Sequence, residues 1–203
     1  MPPTTPLPDL MELAIFPLRT VLYPGGALPL KIFEQRYLEM TKECIRDARP
    51  FGVCLIQDGN EVGAPATPHM VGCSARIEHW DMPHMGIFHL VTRGVQVFRI
   101  VEHWTEKNGL RRAQVELRDA RENEKEPEDQ AVLSELLARI IDKVGSSNFP
   151  EPLRLDDPQW VSWRLCEVLP LDDDFKQDML ETGDTALRLH RLRAYLKSKA
   201  IPL

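Results

Sequence analysis

The strongest constraint on the fold is a tight turn, Pro24, Gly25 and Gly26, between two apolar segments. Proline fixes φ and glycine accepts positive φ, so these residues predict a turn at the surface. Residues 12–18 before it and 27–33 after it are apolar, and we expect both to be strands. The side chains that we expect to be mostly buried in the resulting barrel are Phe16, Leu18, Leu22, Leu30, Ile32 and Phe33.

Glycine turns that precede helices often bind phosphate, but this one lacks the necessary pattern. A P-loop requires a Gly-Lys pair, and the chain contains none. A dinucleotide fingerprint places spaced glycines at the start of a helix, whereas a proline-containing segment, residues 27–33, follows here. We therefore interpret the turn as structural.

The spacing of the apolar residues changes along the chain. From Glu34 they recur three or four apart, which predicts one early helix ending near Pro50. Strand patterns follow, with a bend or bulge expected at Arg93 and Gly94. Residues 118–130 are charged and contain a proline, which predicts a solvated connector, and helical spacing follows.

We therefore predict an α+β protein. Residues 1–10 are expected to form a disordered lead-in, residues 11–122 a β-rich barrel and residues 123–203 a helical subdomain. Residues 174–199 are predicted to be one helix, with acidic residues at its start and basic residues at its end. That order complements the helix dipole, so we expect these basic side chains to form a solvated face and not a nucleic-acid patch.

The charge balance limits the classes of partner. A net charge of -6 gives no overall attraction to nucleic acid or to an anionic membrane. No apolar segment approaches the roughly 18 to 20 residues that span a bilayer, and the N-terminus lacks the features of a secretory signal. We expect a cytoplasmic protein with reduced cysteines, of which Cys54 and Cys73 lie in apolar strands and should be core residues.

A search for reactive groups finds no catalytic motif, since the chain has neither G-x-S-x-G nor a cysteine in a recognisable protease pattern. His79, His84 and His89 surround one hairpin, with Asp81 nearby, but their spacing fits known zinc patterns poorly. We interpret them as polar surface residues. We accordingly expect no catalytic residue, no cofactor and no metal.

One feature indicates recognition. Met82 and Met85 flank Pro83 at the expected tip of a hairpin, and exposed methionines adapt to varied apolar partners. The alternative is that both side chains fold back over the end of the barrel. We take Met82 and Met85 as candidates for contact with a partner.

Four segments, taken in order, resemble a known family: IFPLRTVLYPGGALPLKIFEQRYLEM, PFGVCLI, VGCSARI and RGVQVFRI. They are similar to the N-terminal substrate-binding domain of the ATP-dependent Lon proteases, and WRLCEVLPLDDDFKQDMLE resembles that domain's C-terminal subdomain. The resemblance implies a PUA-like pseudo-barrel followed by a helical bundle. One departure is Val97, which stands where the family often has arginine.

The resemblance also implies a role. It implies a non-enzymatic module that binds polypeptide segments, or an adaptor to a protease or chaperone in protein quality control. The chain contains neither the ATPase nor the Ser-Lys peptidase of a full Lon protease, so we expect no activity of either kind. Two alternatives stay open: an enzyme or binding protein for a small molecule held between barrel and helices, and RNA binding through the PUA-like fold. A homodimer also stays open.

Overall fold

The computed structural model describes residues 10–119 and 127–200, so residues 1–9 of the predicted lead-in and residues 120–126 of the predicted connector lie outside the described residues. The described strands are β1 (Leu10–Leu18), β2 (Ala27–Ile32), β3 (Phe51–Asp58), β4 (Thr67–Pro68), β5 (Val71–His84), β6 (Ile87–Thr105) and β7 (Arg111–Arg118). The described α-helices are α1 (Gln35–Asp47), α2 (Gln130–Val144), α3 (Pro158–Val168), α4 (Asp173–Glu181) and α5 (Thr185–Ser198). The α+β prediction is confirmed.

The strands close into a barrel. Their order is β1-β7-β6-β5-β3-β4, and a parallel pairing of β1 with β3 joins the two sides. Parallel neighbours need a long crossover, and β2 with α1 supplies it. Gly52 lies in the close-packed interior of the barrel, because a side chain there would collide with the ring of Phe98 and a methyl group of Ile15. Cys54 and Cys73 are buried free thiols, as predicted.

β6 has 19 residues and belongs to two sheets along its length, the barrel and a smaller three-stranded sheet. Its second half pairs with β7 inside the barrel, whereas its first half lies between β5 and β2. Residues 27–32 and 76–93 thus form a three-stranded sheet, which we call the arm. Its inner residues Ile32, Phe88 and Leu90 are buried in one cluster with barrel residues and with α1. A register shift between Cys73 and Ala75, opposite residues 94–97 of β6, marks where the arm leaves the barrel. The irregularity expected at Arg93 and Gly94 is therefore confirmed.

The helices pack against the barrel through a shared core. α2, α3 and α5 contact one another, and their apolar side chains form one buried cluster with residues from the barrel side. The barrel residues in that cluster are Val21, Tyr23, Leu55 and Val71. The division into residues 11–122 and 123–203 stays a prediction, since this core spans both.

The prediction of one continuous helix over residues 174–199 is wrong. α4 ends at Glu181 and α5 begins at Thr185, with Gly183 between them. Asp184 caps the second helix, because its Oδ1 accepts the backbone N–H of Leu187 at 2.9 Å. The prediction that the basic side chains form a solvated face is wrong for Arg188, which is only 1% exposed.

The predicted core of the first strands is correct at most positions and wrong at one. Leu28, Leu30 and Ile32 share the inner face of β2, with Leu30 partly buried. Side chains alternate along a strand, so Phe33 is out of phase and is 52% exposed. The prediction of a buried Phe33 is therefore wrong. The expected residues that are fully buried are Phe16, Leu18, Leu22 and Ile32.

The turn at residues 24–26 is not the surface turn that was expected. Gly26 is buried, and Pro24 and Gly25 are half-buried. The reason is that α3 lies over the turn: Arg164 Nη2 donates to the carbonyl of Pro24 at 2.7 Å. The turn is structural, and it lies in the contact between barrel and helices.

Candidate functional site

The far end of the arm exposes a group of large apolar side chains. Met85 occupies the turn between β5 and β6 and is 98% exposed, and a side chain placed on the neighbouring Gly86 would meet nothing within 4 Å. β2 ends at the same place, because Ile32 pairs with Phe88. We call the exposed large apolar residues of the arm, with Phe33 that follows β2, the arm surface; they are Phe33, Trp80, Met82, Met85 and Val91. Trp80 pairs with Leu90 and Val91 with His79, so the side chains of Trp80 and Val91 lie on opposite faces of the sheet.

A groove of about 510 Å³ crosses the arm. Its apolar lining includes Pro29, Leu30 and Trp80, and the Trp80 ring packs edge-on against Phe88 with the ring centroids 5.8 Å apart. That contact holds the indole in place although half of it is exposed. The groove is therefore a fixed apolar depression beside more adaptable methionines.

Few charges lie around the groove. Lys31, His89 and Asp81 occupy one row across β2, β6 and β5, since Lys31 pairs with His89 and His89 with Asp81. The fixed charges of that row are one cation and one anion. The surface therefore offers little net charge to a ligand.

The two methionines chosen from the sequence lie on this surface. Met82 and Met85 are both exposed, so neither covers a core. Their role in binding stays a prediction. The exposure of Phe33 was not predicted, although the alternation of Leu28, Leu30 and Ile32 indicates that Phe33 lies on the outer face. The sequence analysis also missed Trp80, whose orientation follows from a bulge beside Ile77 that no sequence pattern reveals.

A second site, which is polar, lies where α3 covers the turn at residues 24–26. Arg164, fully buried, forms an ion pair with Glu167 at 3.1 Å besides its bond to Pro24. Arg93 Nη1 donates to the carbonyl of Gly25 at 2.9 Å. Burial raises the pKa of Glu167 to about 7, against the opposing effect of Arg164, Arg93 and Lys176. A cavity of about 360 Å³ adjoins Arg93, Glu167 and Lys176.

The same contact contains a three-layer stack. The ring of Tyr23 lies on Trp163 with centroids 5.2 Å apart, and the guanidinium carbon of Arg188 lies 3.5 Å from the centroid of the Trp163 ring. Arg188 also donates to Ser162 Oγ at 2.9 Å and to the carbonyl of Thr182 at 2.8 Å. Loss of solvation lowers the pKa of Arg188 to about 10. The stack ties the barrel to α3 and α5.

The groups beside the stack are poorly suited to nucleophilic chemistry. Burial raises the pKa of the Cys166 thiol to about 12, and it raises the pKa of the Tyr23 hydroxyl well above its ordinary value. A thiol held in its neutral form is a weak nucleophile. In residues 10–119 and 127–200, no three His, Cys, Asp or Glu side chains lie close enough to hold a metal ion.

The lengths and polarity of the helices bear on whether any of them could cross a membrane. Across the described part of the chain, every helix is too short or too polar to span a lipid bilayer.

Comparison with known proteins is informative for most of the chain. Residues 12–198 match the family model described as the ATP-dependent protease La (LON) substrate-binding domain. The Lon protease of Paraburkholderia phytofirmans is 27% identical over 198 residues, which cover 93% of this chain and 24% of that protein. The Lon protease of Anaeromyxobacter dehalogenans is 30% identical over 195 residues, covering 92% of this chain and 23% of that protein. The chain thus corresponds to about a quarter of each relative.

Two solved structures have the same fold. The crystal structure of a Lon N-terminal domain protein from Xanthomonas campestris superposes with a TM-score of 0.76 and 32% identity, covering 91% of this chain and 98% of the other. The N-terminal domain of the Mycobacterium avium complex Lon protease superposes with a TM-score of 0.67 and 16% identity, covering 95% and 100%. At that lower identity the likeness concerns the fold alone.

Proposed function

The chain belongs to the family of the Lon substrate-binding domain, and from that premise we propose that it is a non-enzymatic module that binds unfolded or exposed polypeptide segments through the arm surface. The observation that supports the proposal is the group of large apolar side chains at the end of the arm. Grouped exposed apolar residues mark binding surfaces, whereas single ones are ordinary. Methionine side chains suit clients of varied shape.

We further propose that the module acts in the cytoplasm, as an adaptor that presents clients to a protease or chaperone, and that it has neither ATPase nor peptidase activity of its own. The row of Lys31, His89 and Asp81 carries one fixed cation and one fixed anion, which supports clients selected by apolar content and not by charge. Binding should therefore survive added salt, while an electrostatic complex would weaken steeply. The net charge of -6 argues against the RNA-binding alternative.

The test is a double variant, Met82→Ser with Met85→Ser. Its affinity for a permanently unfolded, reduced and alkylated polypeptide carrying a fluorescent label should fall by about tenfold, because two apolar contacts of roughly 0.7 kcal/mol each are lost. Its melting temperature should stay nearly unchanged, since both side chains are exposed. Fluorescence anisotropy and thermal unfolding measure the two quantities.

Met70 provides the matched control. It is 41% exposed, against 40% for Met82, but it lies before β5 at the opposite end of that strand. Met70→Ser should bind the labelled polypeptide as the wild type does. Normal binding by the double variant, or an equal loss in Met70→Ser, would remove the arm surface from the proposal.

A second candidate function has one observation in its favour. The cavity at the contact of barrel and helices adjoins Glu167, whose pKa is raised to about 7, and Arg93 and Lys176. Perturbed carboxyl groups in cavities are common at ligand sites. Screening a small-metabolite library by thermal shift, with Glu167→Gln as the comparison, tests it: a compound that stabilises the wild type but not the variant would establish a ligand site.

A further inference from the structure

We infer that a bound polypeptide adds a strand to the open edge of β2, so that part of its affinity comes from backbone hydrogen bonds; this inference rests on the proposed function. β2 pairs with β6 along one edge. Among the described residues no strand pairs with its other edge. Unpaired strand edges are ready templates for an incoming extended chain.

The register determines which backbone groups face that edge. Gly94 donates its N–H to the carbonyl of Gly26 at 2.8 Å, and bonded pairs alternate along an antiparallel ladder. Leu28, Leu30 and Ile32 therefore bond to β6. The residues whose backbone groups point to the open edge are Ala27, Pro29 and Lys31. Proline has no N–H, so the edge offers the carbonyls of all three and the N–H groups of Ala27 and Lys31.

The arm has a second open edge, on residues 76–84 of β5, but that edge is poorly suited to pairing. Its ladder with β6 is interrupted between Ile77 and His79 and again between Asp81 and His84. Bulges of this kind twist an edge and prevent regular pairing. The register of β2 is uninterrupted from Ala27 to Ile32. β2 is therefore the edge that can accept a strand.

Pro29 also indicates what occupies the edge. If two copies of this chain paired their β2 strands antiparallel, Pro29 of each copy would lack its N–H, so two hydrogen bonds would be missing. A client strand without proline would lack only one hydrogen bond, the one that Pro29 of this chain cannot donate. Its alternate side chains lie beside the groove that Pro29, Trp80 and Val91 line. The occupant is thus an extended, apolar, uncharged segment without proline, and not a second copy of this chain.

The test changes single backbone groups on the open edge. Lys31→Pro removes one N–H and leaves the β6 ladder intact, so affinity for the labelled unfolded polypeptide should fall about fivefold, the value of one net hydrogen bond. Lys31→Ala keeps that N–H and should bind normally. Pro29→Ala adds an N–H to the edge and should bind up to about fivefold more tightly.

Amide exchange gives a readout that does not depend on the folding of any variant. In the wild-type protein, saturation with the unfolded polypeptide should slow exchange of the Ala27 and Lys31 amides, while other exposed amides, such as that of Met70, exchange as before. Unslowed exchange at both positions, or equal affinities of Lys31→Pro and Lys31→Ala, would overturn the inference.

The outcomes separate this inference from the proposed function. Weakened binding in the methionine double variant, with normal binding in all β2 variants, would remove the added strand and keep the arm surface. Absence of any binding by the wild-type protein would remove both.

Discussion

Phe33 directly follows β2 and is 52% exposed. Phe33→Ala should lower the free energy of unfolding by less than about 1 kcal/mol, because little buried area is lost. Phe51→Ala, at a fully buried position in the barrel core, should lower it by about 3 to 5 kcal/mol. Urea unfolding followed by tryptophan fluorescence measures both. A large cost at Phe33 would mean that this side chain packs into the core.

Glu167 should make stability depend on pH. Its pKa is raised to about 7 in the folded protein, so the folded protein retains a proton that the unfolded chain has released. The resulting contribution to stability is complete below the ordinary pKa of glutamate and is lost as the pH rises through about 7. From about pH 5 to about pH 8, the free energy of unfolding should therefore fall by on the order of 1 to 3 kcal/mol because of this group.

Glu167→Gln mimics the protonated side chain, and its free energy of unfolding should lack this part of the pH dependence. Glu135→Gln, at an exposed position on α2, serves as the control and should titrate as the wild type does. Parallel curves for the wild type and Glu167→Gln would show that the carboxyl group is solvated as in an unfolded chain.

At the level of residues, the sequence was informative where a strand pattern decided the outcome. Ile32 and Cys73 follow from local alternation and apolar context. Arg188 could not be placed in the same way, because an arginine near the end of a helical segment usually faces water. Its burial depends on Trp163, which lies 25 positions earlier and meets it only after α3 and α5 pack.

At the level of elements, the contact between Gly94 of β6 and the turn at residues 24–26 leaves no room for a side chain at position 94. A side chain on Gly94 would collide with the carbonyl of Tyr23, and the turn also exchanges backbone hydrogen bonds with Gly94. Gly94→Ala should therefore lower the free energy of unfolding by about 2 to 4 kcal/mol, the usual cost of overpacking or of breaking such a contact. Calorimetry or urea unfolding measures it.

Gly183 is the matching control for that substitution. A side chain there would meet nothing within 4 Å, so Gly183→Ala should change stability by less than about 0.5 kcal/mol. A mild effect at Gly94, similar to that at Gly183, would mean that the turn can move away from β6 at low cost.

Most helices and strands were predicted from the sequence, but the break between α4 and α5 and the change of partners along β6 were not. α1 and the strands followed from the change in apolar spacing, and the bend near Gly94 from its glycine. The break between α4 and α5 was missed although the sequence marks it, because Gly183 is followed by Asp184, a residue suited to capping a helix, and Asp184 caps α5 in the structure. The arm was missed because one strand, β6, takes different partners along its length, and pairing is a property of tertiary structure.

For the whole molecule, the shared core predicts cooperative unfolding. Limited proteolysis should cleave first within residues 118–126, whose charged sequence predicts an exposed connector. Residues 127–130, the last part of the connector, should resist cleavage, because Asp129 is buried and accepts hydrogen bonds from Arg193 and His190. The cleaved halves should stay associated and melt in one transition, since Tyr23 and Val71 lie in the same core as the helices.

Mass spectrometry of the first fragments and size-exclusion chromatography of the cleaved protein test this expectation. Two separate thermal transitions, or separation of the fragments without denaturant, would mean that the barrel and the helical subdomain are independent domains.

The hydrogen bond from Arg164 to the carbonyl of Pro24 holds the turn that lies against the root of the arm. The arm begins at Arg93, and eight residues at about 3.3 Å each place Met85 about 26 Å from that root. A tilt of about 5° at the root would therefore move the tip by about 2 Å. A shift of α3 would act at the root of the arm, and the turn that carries Met85 would move furthest.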